Sequence, residues 1–208
     1  MRRVWVIVVA AGAGRRFGGA KQYEALARRR VLDWSLDAAR AVADGVVVVV
    51  APDRVGDDEP AADAVVAGAG TRSGSVRAGL AAVPDDAGVI VVHDGARPLA
   101  GADLFAAVVD AVQGGADAAV PGVPVDDTLR ARAGGVVDRD GLVAVQTPQA
   151  FRAAALRGAH AGGGEATDDA SLVEAAGGKV VVVDGSPTNL KITRSSDLAV
   201  AEALLRAR

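Results

Sequence analysis

Short runs rich in Val and Ile recur at residues 4–9, 46–50, 89–93, 118–120, 142–145 and 180–183, with helical spacing between several of them. Most of these runs lack the polar alternation of a half-exposed sheet, so they fit strands covered on both faces. Between them, Leu32, Leu36, Ala39 and Val42 fall on one helical face, as do Val76, Leu80 and Val83, and then Leu104, Val108 and Val112. Strand alternating with helix predicts an α/β domain built on a mostly parallel sheet with right-handed crossovers. Half of the 208 residues are apolar but only 3% are aromatic, so the core has to be packed from Val, Ala and Leu. That length suits one such domain.

Capping residues suggest where helices begin: Ser73 or Ser75 for the second, Thr167 before Leu172, and Ser195 or Ser196 for the last. Residues 121–149 break the rhythm, with Pro121, Pro124 and a Gly134-Gly135 turn followed by a strand-like run. This reads as a β-arm projecting from the main sheet, and an exposed arm calls for a partner surface, hence a homodimer. Residues 161–164 read as a flexible loop, and the acidic stretch 53–60 as a solvated connection.

The formal charge of −3 argues against a nucleic-acid coat, and the absence of cysteine removes disulfides and thiolate metal sites. A cytoplasmic location is the expectation. No apolar run approaches the roughly 20 residues a membrane helix needs. Among 23 basic residues only Lys21, Lys179 and Lys191 are lysines. A chain that uses Arg nearly everywhere keeps Lys where a compact ammonium is wanted, because the two cations differ in shape and hydration. Lys179, at the start of a strand, reads as merely exposed.

The segment from Val9 to Gln22 follows the first strand directly and carries Ala10, Ala11, Gly12, Gly14, Arg15, Arg16, Phe17 and Lys21. Glycines let a backbone approach a ligand and turn its amides toward phosphate oxygens. In an open parallel sheet this carboxyl end of a strand is where ligands collect. The loop is not a Walker A sequence, because Lys21 is neither preceded by Gly nor followed by Ser or Thr. It is a poor dinucleotide fingerprint as well, with Phe17 at the third glycine position. Arg15, Arg16 and Lys21 offer positive charge suited to a triphosphate whose charge moves onto departing pyrophosphate. Taken alone, the loop also fits a glycine-rich turn with solvated basic residues.

A second strand ends in His93-Asp94-Gly95-Ala96-Arg97-Pro98, where Asp94 suits a magnesium ion or hydroxyl and Arg97 a phosphate. An ordinary loop ion pair is equally compatible. His93 reads as packed at the strand end and His160 as a solvated loop residue. The turn around Gly70, Ser73 and Ser75 suits either the reading of a base edge or plain helix capping.

In this order the segments resemble the 2-C-methyl-D-erythritol 4-phosphate cytidylyltransferases, nearly end to end. The likeness extends to Lys21-Gln22-Tyr23, Asp127-Thr128, Asp138-Arg139-Asp140-Gly141-Leu142, Thr147-Pro148-Gln149, Thr167-Asp168-Asp169-Ala170-Ser171 and Asn189-Leu190-Lys191-Ile192-Thr193-Arg194. The chain departs from that family's pattern at Ala20, where a proline is common, and at Ala69, where a glycine is. The resemblance implies a Rossmann-like nucleotidyltransferase domain with an arm that interlocks two subunits, Mg2+ dependence, and transfer of CMP from CTP to a sugar-alcohol phosphate with release of pyrophosphate. It implies that Arg16 and Lys21 stabilise the transition state at the α-phosphate. Arg139 and Lys191 are implied to hold the acceptor, helped by Asp94, Arg97, Thr128 and Thr147, with Arg139, Thr128 or Thr147 reaching in from the partner. Ala10, Ala11, Gly12, Gly14, Gly70, Ser75 and Asp94 are implied to contact the nucleotide. The resemblance names no metal ligands.

The attacking phosphate monoester has its second pKa near 6, so it arrives largely deprotonated at neutral pH and needs no general base. Rival readings are a cytidylyltransferase for ribitol 5-phosphate or another polyol phosphate, a nicotinamide-dependent oxidoreductase with a degenerate glycine fingerprint, and a nucleotide-sensing module without catalysis.

Overall fold

A computed structural model describes residues 3–207. Twelve strands and six helices follow one another in the order β1 (Val4–Val9), β2 (Ala25–Leu26), β3 (Arg29–Arg30), α1 (Val31–Arg40), β4 (Gly45–Val50), β5 (Ala64–Ala67), α2 (Arg72–Ala82), β6 (Val89–Asp94), α3 (Ala102–Gln113), β7 (Ala118–Pro124), β8 (Leu129–Arg130), β9 (Val136–Val137), β10 (Val143–Val145), β11 (Gln149–Arg152), α4 (Ala153–Ala161), α5 (Asp169–Ala175), β12 (Val180–Asp184) and α6 (Ser196–Arg206). The main sheet runs β10-β7-β11-β6-β1-β4-β5, with β12 joined to β7. Pairs β1–β6, β1–β4, β4–β5 and β7–β12 are parallel, whereas β11 is antiparallel to both β6 and β7. The expected mostly parallel, Rossmann-like sheet is therefore present, with an antiparallel insertion.

Alternation along the strands builds the core on both faces. Val4, Val6 and Val8 of β1 pack with Leu32, Leu36, Phe105, Val108 and Val112 of α1 and α3. Ile7 points the other way, with Val76 and Leu80 of α2, Phe151, Leu156 and Val173. Each fully buried Val, Leu or Phe contributes about 1.5–3 kcal/mol. The third helix therefore uses Phe105 and Val109 beside Val108 and Val112, while Leu104 lies at its edge. Gly79 lets α2 lie close on the sheet, since an added Cβ would stand 2.6 Å from Ile7 Cγ2. A third cluster, Leu26, Val31, Leu99, Ile192 and Ala201, seats α6 beside the carboxyl ends of the strands.

Helix starts differ from the sequence expectation. Thr71, not Ser73 or Ser75, caps α2, its Oγ1 accepting from Gly74 N–H, and both serines lie inside the helix. Asp168, not Thr167, caps α5 by accepting from Ser171 N–H. Ser195 stands at the start of α6 without a side-chain cap; Asp197 instead accepts from Thr193 and Arg194 N–H. These carboxylates win because an ionised acceptor at a helix start gains from the aligned backbone dipoles.

Two further corrections concern burial. His160 lies in α4, 4% exposed, and is not a solvated loop residue, because its ring is drawn inward to Asp169. Within stretch 53–60, Glu59 is buried and accepts from Arg30 Nη1 and Nη2 at 2.9 and 2.8 Å, so this connection is anchored rather than wholly solvated. Lys179 is exposed as expected. In stretch 121–149, β7 stays in the main sheet through Pro124 and pairs with β10, while the small β8–β9 ribbon lies between them in sequence. No helix among the described residues is long and apolar enough to cross a membrane.

Candidate active site

Strand register decides where the site forms. Val9 at the end of β1 is paired with Asp94 at the end of β6 and with Val49 of β4, so the loops that follow start side by side. Those loops, the start of α2 and residues 191–193 enclose a cleft of about 590 Å³. Ala10, Ala11, Gly12, Gly14, Arg16, Lys21, Gly70, Ser75, Asp94 and Lys191 all line it.

The glycine-rich loop is a built structure. Gly14 adopts φ +61, and an added Cβ would collide with the carbonyl of Gly19. The Gly14 carbonyl accepts from Phe17 and Gly18 N–H at 2.8 and 3.0 Å, which closes the turn. Buried Gln22 reaches back across the loop, its Nε2 donating to Ala10 O at 2.6 Å and Gly12 O at 3.1 Å. Lys21 thus leaves from a fixed base. Burial, aided by repulsion from Lys191 and Arg16, lowers its pKa, so three cations share one small space.

Across the cleft, Ser75 Oγ accepts from Ala69 N–H and donates to Thr71 O, which shapes the Gly70 turn. At the floor, Lys191 Nζ donates to Asp94 Oδ2 at 2.6 Å, and Arg72 Nε lies 3.6 Å from Asp94 Oδ1. Burial alone would raise the Asp94 pKa, but Lys191, Arg72 and Arg97 outweigh it and hold the carboxyl well below the usual carboxylate range. Lys191 is placed by its neighbours: Ile192 N–H donates to Ala96 O, and Arg97 Nη1 donates to Asn189 O. The paired carboxylates of Asp169 and Asp94 raise the Arg72 pKa against the opposing effect of burial.

Four expected site residues stand apart from this cleft lining. Arg97 braces the chain at Asn189, with its pKa lowered by burial. Thr147 is buried: its Oγ1 accepts from Asp94 N–H at 3.0 Å and lies 3.2 Å from His93 Nδ1, so within this chain it supports the strand end. Thr128 is exposed, and Arg139 is partly exposed on the stretch between β9 and β10. His93 is packed against Phe105, as its sequence position suggested.

A family model described as 2-C-methyl-D-erythritol 4-phosphate cytidylyltransferase, IspD, matches residues 4–207. The chain belongs to that family. It is 45% identical to a bifunctional enzyme IspD/IspF of Dinoroseobacter shibae, over 99% of this chain and 54% of that protein. It is 43% identical to the 2-C-methyl-D-erythritol 4-phosphate cytidylyltransferase of Streptomyces coelicolor, over 99% of this chain and 86% of that one. The crystal structure of the Thermus thermophilus 2-C-methyl-D-erythritol 4-phosphate cytidylyltransferase superposes with a TM-score of 0.85 at 41% identity, covering 98% of this chain and 99% of that one. The chain spans about half the length of the first curated relatives it matches, 54% for the Dinoroseobacter protein.

In this IspD family member, Arg72, Gln22 and Thr193 are further polar cleft residues that sequence reasoning gave no role. Arg72 stood in a segment read only for its glycines and hydroxyls, and nothing local reveals that its partners lie at positions 94 and 169. Gln22 was legible only as part of a motif. For a cation, no group of three or more His, Asp or Glu side chains converges among the described residues. Among the described residues, Asp94 is the one carboxylate lining the cleft. Magnesium characteristically binds through one or two carboxylates plus substrate phosphates, and this donor set fits that mode rather than an all-protein cage.

Proposed function

We propose that the chain transfers CMP from CTP to 2-C-methyl-D-erythritol 4-phosphate and releases pyrophosphate. The observation that carries this reading is the convergence of Lys21, Arg16 and Lys191 on one cleft, beside a backbone loop fixed by Gly14 and Gln22. The acceptor phosphate oxygen attacks the α-phosphorus, and the bond from that phosphorus to the β-phosphate oxygen breaks. The electron pair leaves with pyrophosphate. No base is needed, because the attacking monoester is already largely ionised.

The chain's own work is to hold two polyanions in line and to neutralise charge where it develops. Arg16 and Lys21 serve the α-phosphate and the departing pyrophosphate. Ala10, Ala11, Gly12, Gly14, Gly70 and Ser75 seat the nucleotide, and Lys191 with Asp94 orders the acceptor side. Asp94 would hold Mg2+ together with substrate phosphates, and the ion would supply further charge neutralisation there. Thr128 and Arg139 complete the acceptor site by way of a homodimer formed through the arm, while Thr147 supports Asp94 from within its own chain. Exposed Val136, Val143, Val145 and Val182 support such an interface, because apolar side chains on uncovered strands favour a partner surface. A cytoplasmic setting accords with a cysteine-free chain.

Pyrophosphate release from CTP, UTP and ATP, each with 2-C-methyl-D-erythritol 4-phosphate and with ribitol 5-phosphate, tests the assignment. Turnover is expected with CTP and the methylerythritol phosphate. Preference for ribitol 5-phosphate, or CTP binding without pyrophosphate release, would refute it.

A further inference from the structure

Segment 164–169 straps the first turn of α2, the helix whose start forms one wall of the cleft. Arg77 Nη1 donates to Gly164 O at 2.9 Å and its Nη2 to Glu165 at 2.6 Å, while Thr71 Oγ1 donates to Glu165 Oε1 at 3.0 Å. Ala166 N–H donates to Ser73 Oγ at 3.3 Å. Most of these contacts are solvent-exposed and hold weakly. The inner end of the strap differs. Asp169 is fully buried, and its Oδ2 accepts from Arg72 Nη1 at 2.7 Å. Its other oxygen, Oδ1, lies 3.0 Å from His160 Nε2, itself buried in α4. Arg72 in turn brings Nε to 3.6 Å from Asp94 Oδ1.

A guanidinium presents several donors in a rigid plane, so a carboxylate gripping one edge fixes where the other edge points. Arg72 is gripped from behind by Asp169, which the His160 ring holds in place, and its front edge meets Asp94 on the cleft floor. Asp94 already bonds Lys191 on its other oxygen. Without Asp169, Arg72 could swing wholly onto Asp94 and compete with Lys191 for it.

We propose that Asp169 is a positioning residue for the transfer reaction, acting through Arg72 on the Asp94–Lys191 pair, with His160 as its clamp. Asp169 does not line the cleft; its influence is carried by one guanidinium. This inference rests on the cytidylyl-transfer reading given above.

The test is a double-mutant cycle on CMP transfer in the intact chain, with melting followed in parallel. Asp169→Asn is expected to lower kcat/KM for CTP on the order of tenfold or more, the scale of a misplaced catalytic contact. In an Arg72→Met background the same substitution is expected to change kcat/KM by less than about twofold, because coupled residues are not additive. Arg72→Met alone strands a buried carboxylate, so the double variant should melt above it. A merely structural Asp169 would give the same fractional loss in both backgrounds, and that result overturns the proposal. So does a D169N enzyme within about twofold of wild type. Should D169N fail to fold, Arg72→Lys carries the test: an ammonium lacks the rigid fork by which Asp169 aims the far edge at Asp94, so a loss of similar size is expected, and full turnover overturns the idea. A wild-type chain that transfers no CMP defeats the functional reading and this inference with it. An active wild type with indifferent variants defeats this inference alone.

Discussion

Lys191 Nζ donates to Asp94 Oδ2 at 2.6 Å, joining the end of β6 to a residue 97 positions further along the chain. Asp94 cannot move to accommodate it, because its own backbone N–H is tied to Thr147 and its strand is paired with β1 on one side and β11 on the other. The carboxylate is therefore the fixed member, and the lysine, carried on the segment above α6, takes its place from it. A mobile ammonium is converted into a located charge facing the glycine-rich loop.

Asp94→Asn removes the charge that locates Lys191 and Arg72, and turnover is expected to fall on the order of a hundredfold. Its stability signature has a definite sign. The folded carboxyl titrates below its ordinary range, so Asp94 contributes stability that is present above the unfolded pKa of about 3.9 and lost as pH falls below it. Urea unfolding at stepped pH should show a shallower acid limb in D94N than in wild type. An unchanged acid limb combined with undiminished turnover would remove Asp94 from the centre of the site.

His93 adds a second acid-side loss, in a higher pH window and from a group held neutral rather than charged. Burial lowers its pKa from 6.5 to about 4, with Asp94 working against that shift, so the fold excludes a proton that the unfolded chain accepts. The unfolded state thus binds more protons between about pH 4 and 6.5, and stability is lost as pH falls through that window. The full difference corresponds to roughly 3 kcal/mol. Imidazole resonances of His93 followed by NMR should stay in the neutral form at pH 5.5. Titration near 6.5 would show that the ring is not held neutral.

Much of this architecture is legible in the sequence because its strands are uninterrupted valine runs, and β1 coincides with the expected residues 4–9. The parts that escape are those whose local chemistry is ordinary. Strand β11 reads Gln-Ala-Phe-Arg, and only its position between β6 and β7 buries Gln149, Ala150 and Phe151. Helix α4 is mostly alanine, with Leu156 and His160 as its large inward side chains, too sparse to mark a face. In the site, Lys21, Asp94 and Lys191 stand out because they follow strands or belong to recognisable motifs. Arg72 does not, and Asp169 lies in a matched motif that suggests no role for it, since their pairing spans 97 residues and exists only after the sheet has formed.

The Arg30–Glu59 pair ties the start of α1 to the connection before β5. The Glu59 side chain is fully buried while Arg30 is 32% exposed and also held by Asp33, so the arginine keeps a partner if the glutamate is removed. Glu59→Ala is expected to cost about 2–4 kcal/mol, toward the lower part of the range for breaking a buried pair. Arg40→Ala, which removes the exposed pair with Asp63, should cost less than about 1 kcal/mol. Denaturant midpoints compared at constant m-value check the contrast. Equal losses for the two would mean that burial of Glu59 adds nothing.

Gly14→Ala separates loop geometry from charge, because it leaves Arg16 and Lys21 chemically untouched. The added methyl meets the Gly19 carbonyl at a residue already in the left-handed region, and backbone cannot step aside as a flexible side chain would. The strain is relieved by opening the turn closed by Phe17 and Gly18 on the Gly14 carbonyl. That displaces the loop amides and shifts the base from which Lys21 projects. Gly14 and the turn it closes lie outside the two main core clusters, so the melting temperature should fall by no more than a few degrees. Turnover with CTP should drop on the order of a hundredfold, comparable with Lys21→Ala, as expected for loss of a preorganised donor. Combining the two substitutions should then add little to either alone, since both remove the lysine from its working position. Fully multiplicative losses would show that the loop backbone and Lys21 act on the nucleotide independently.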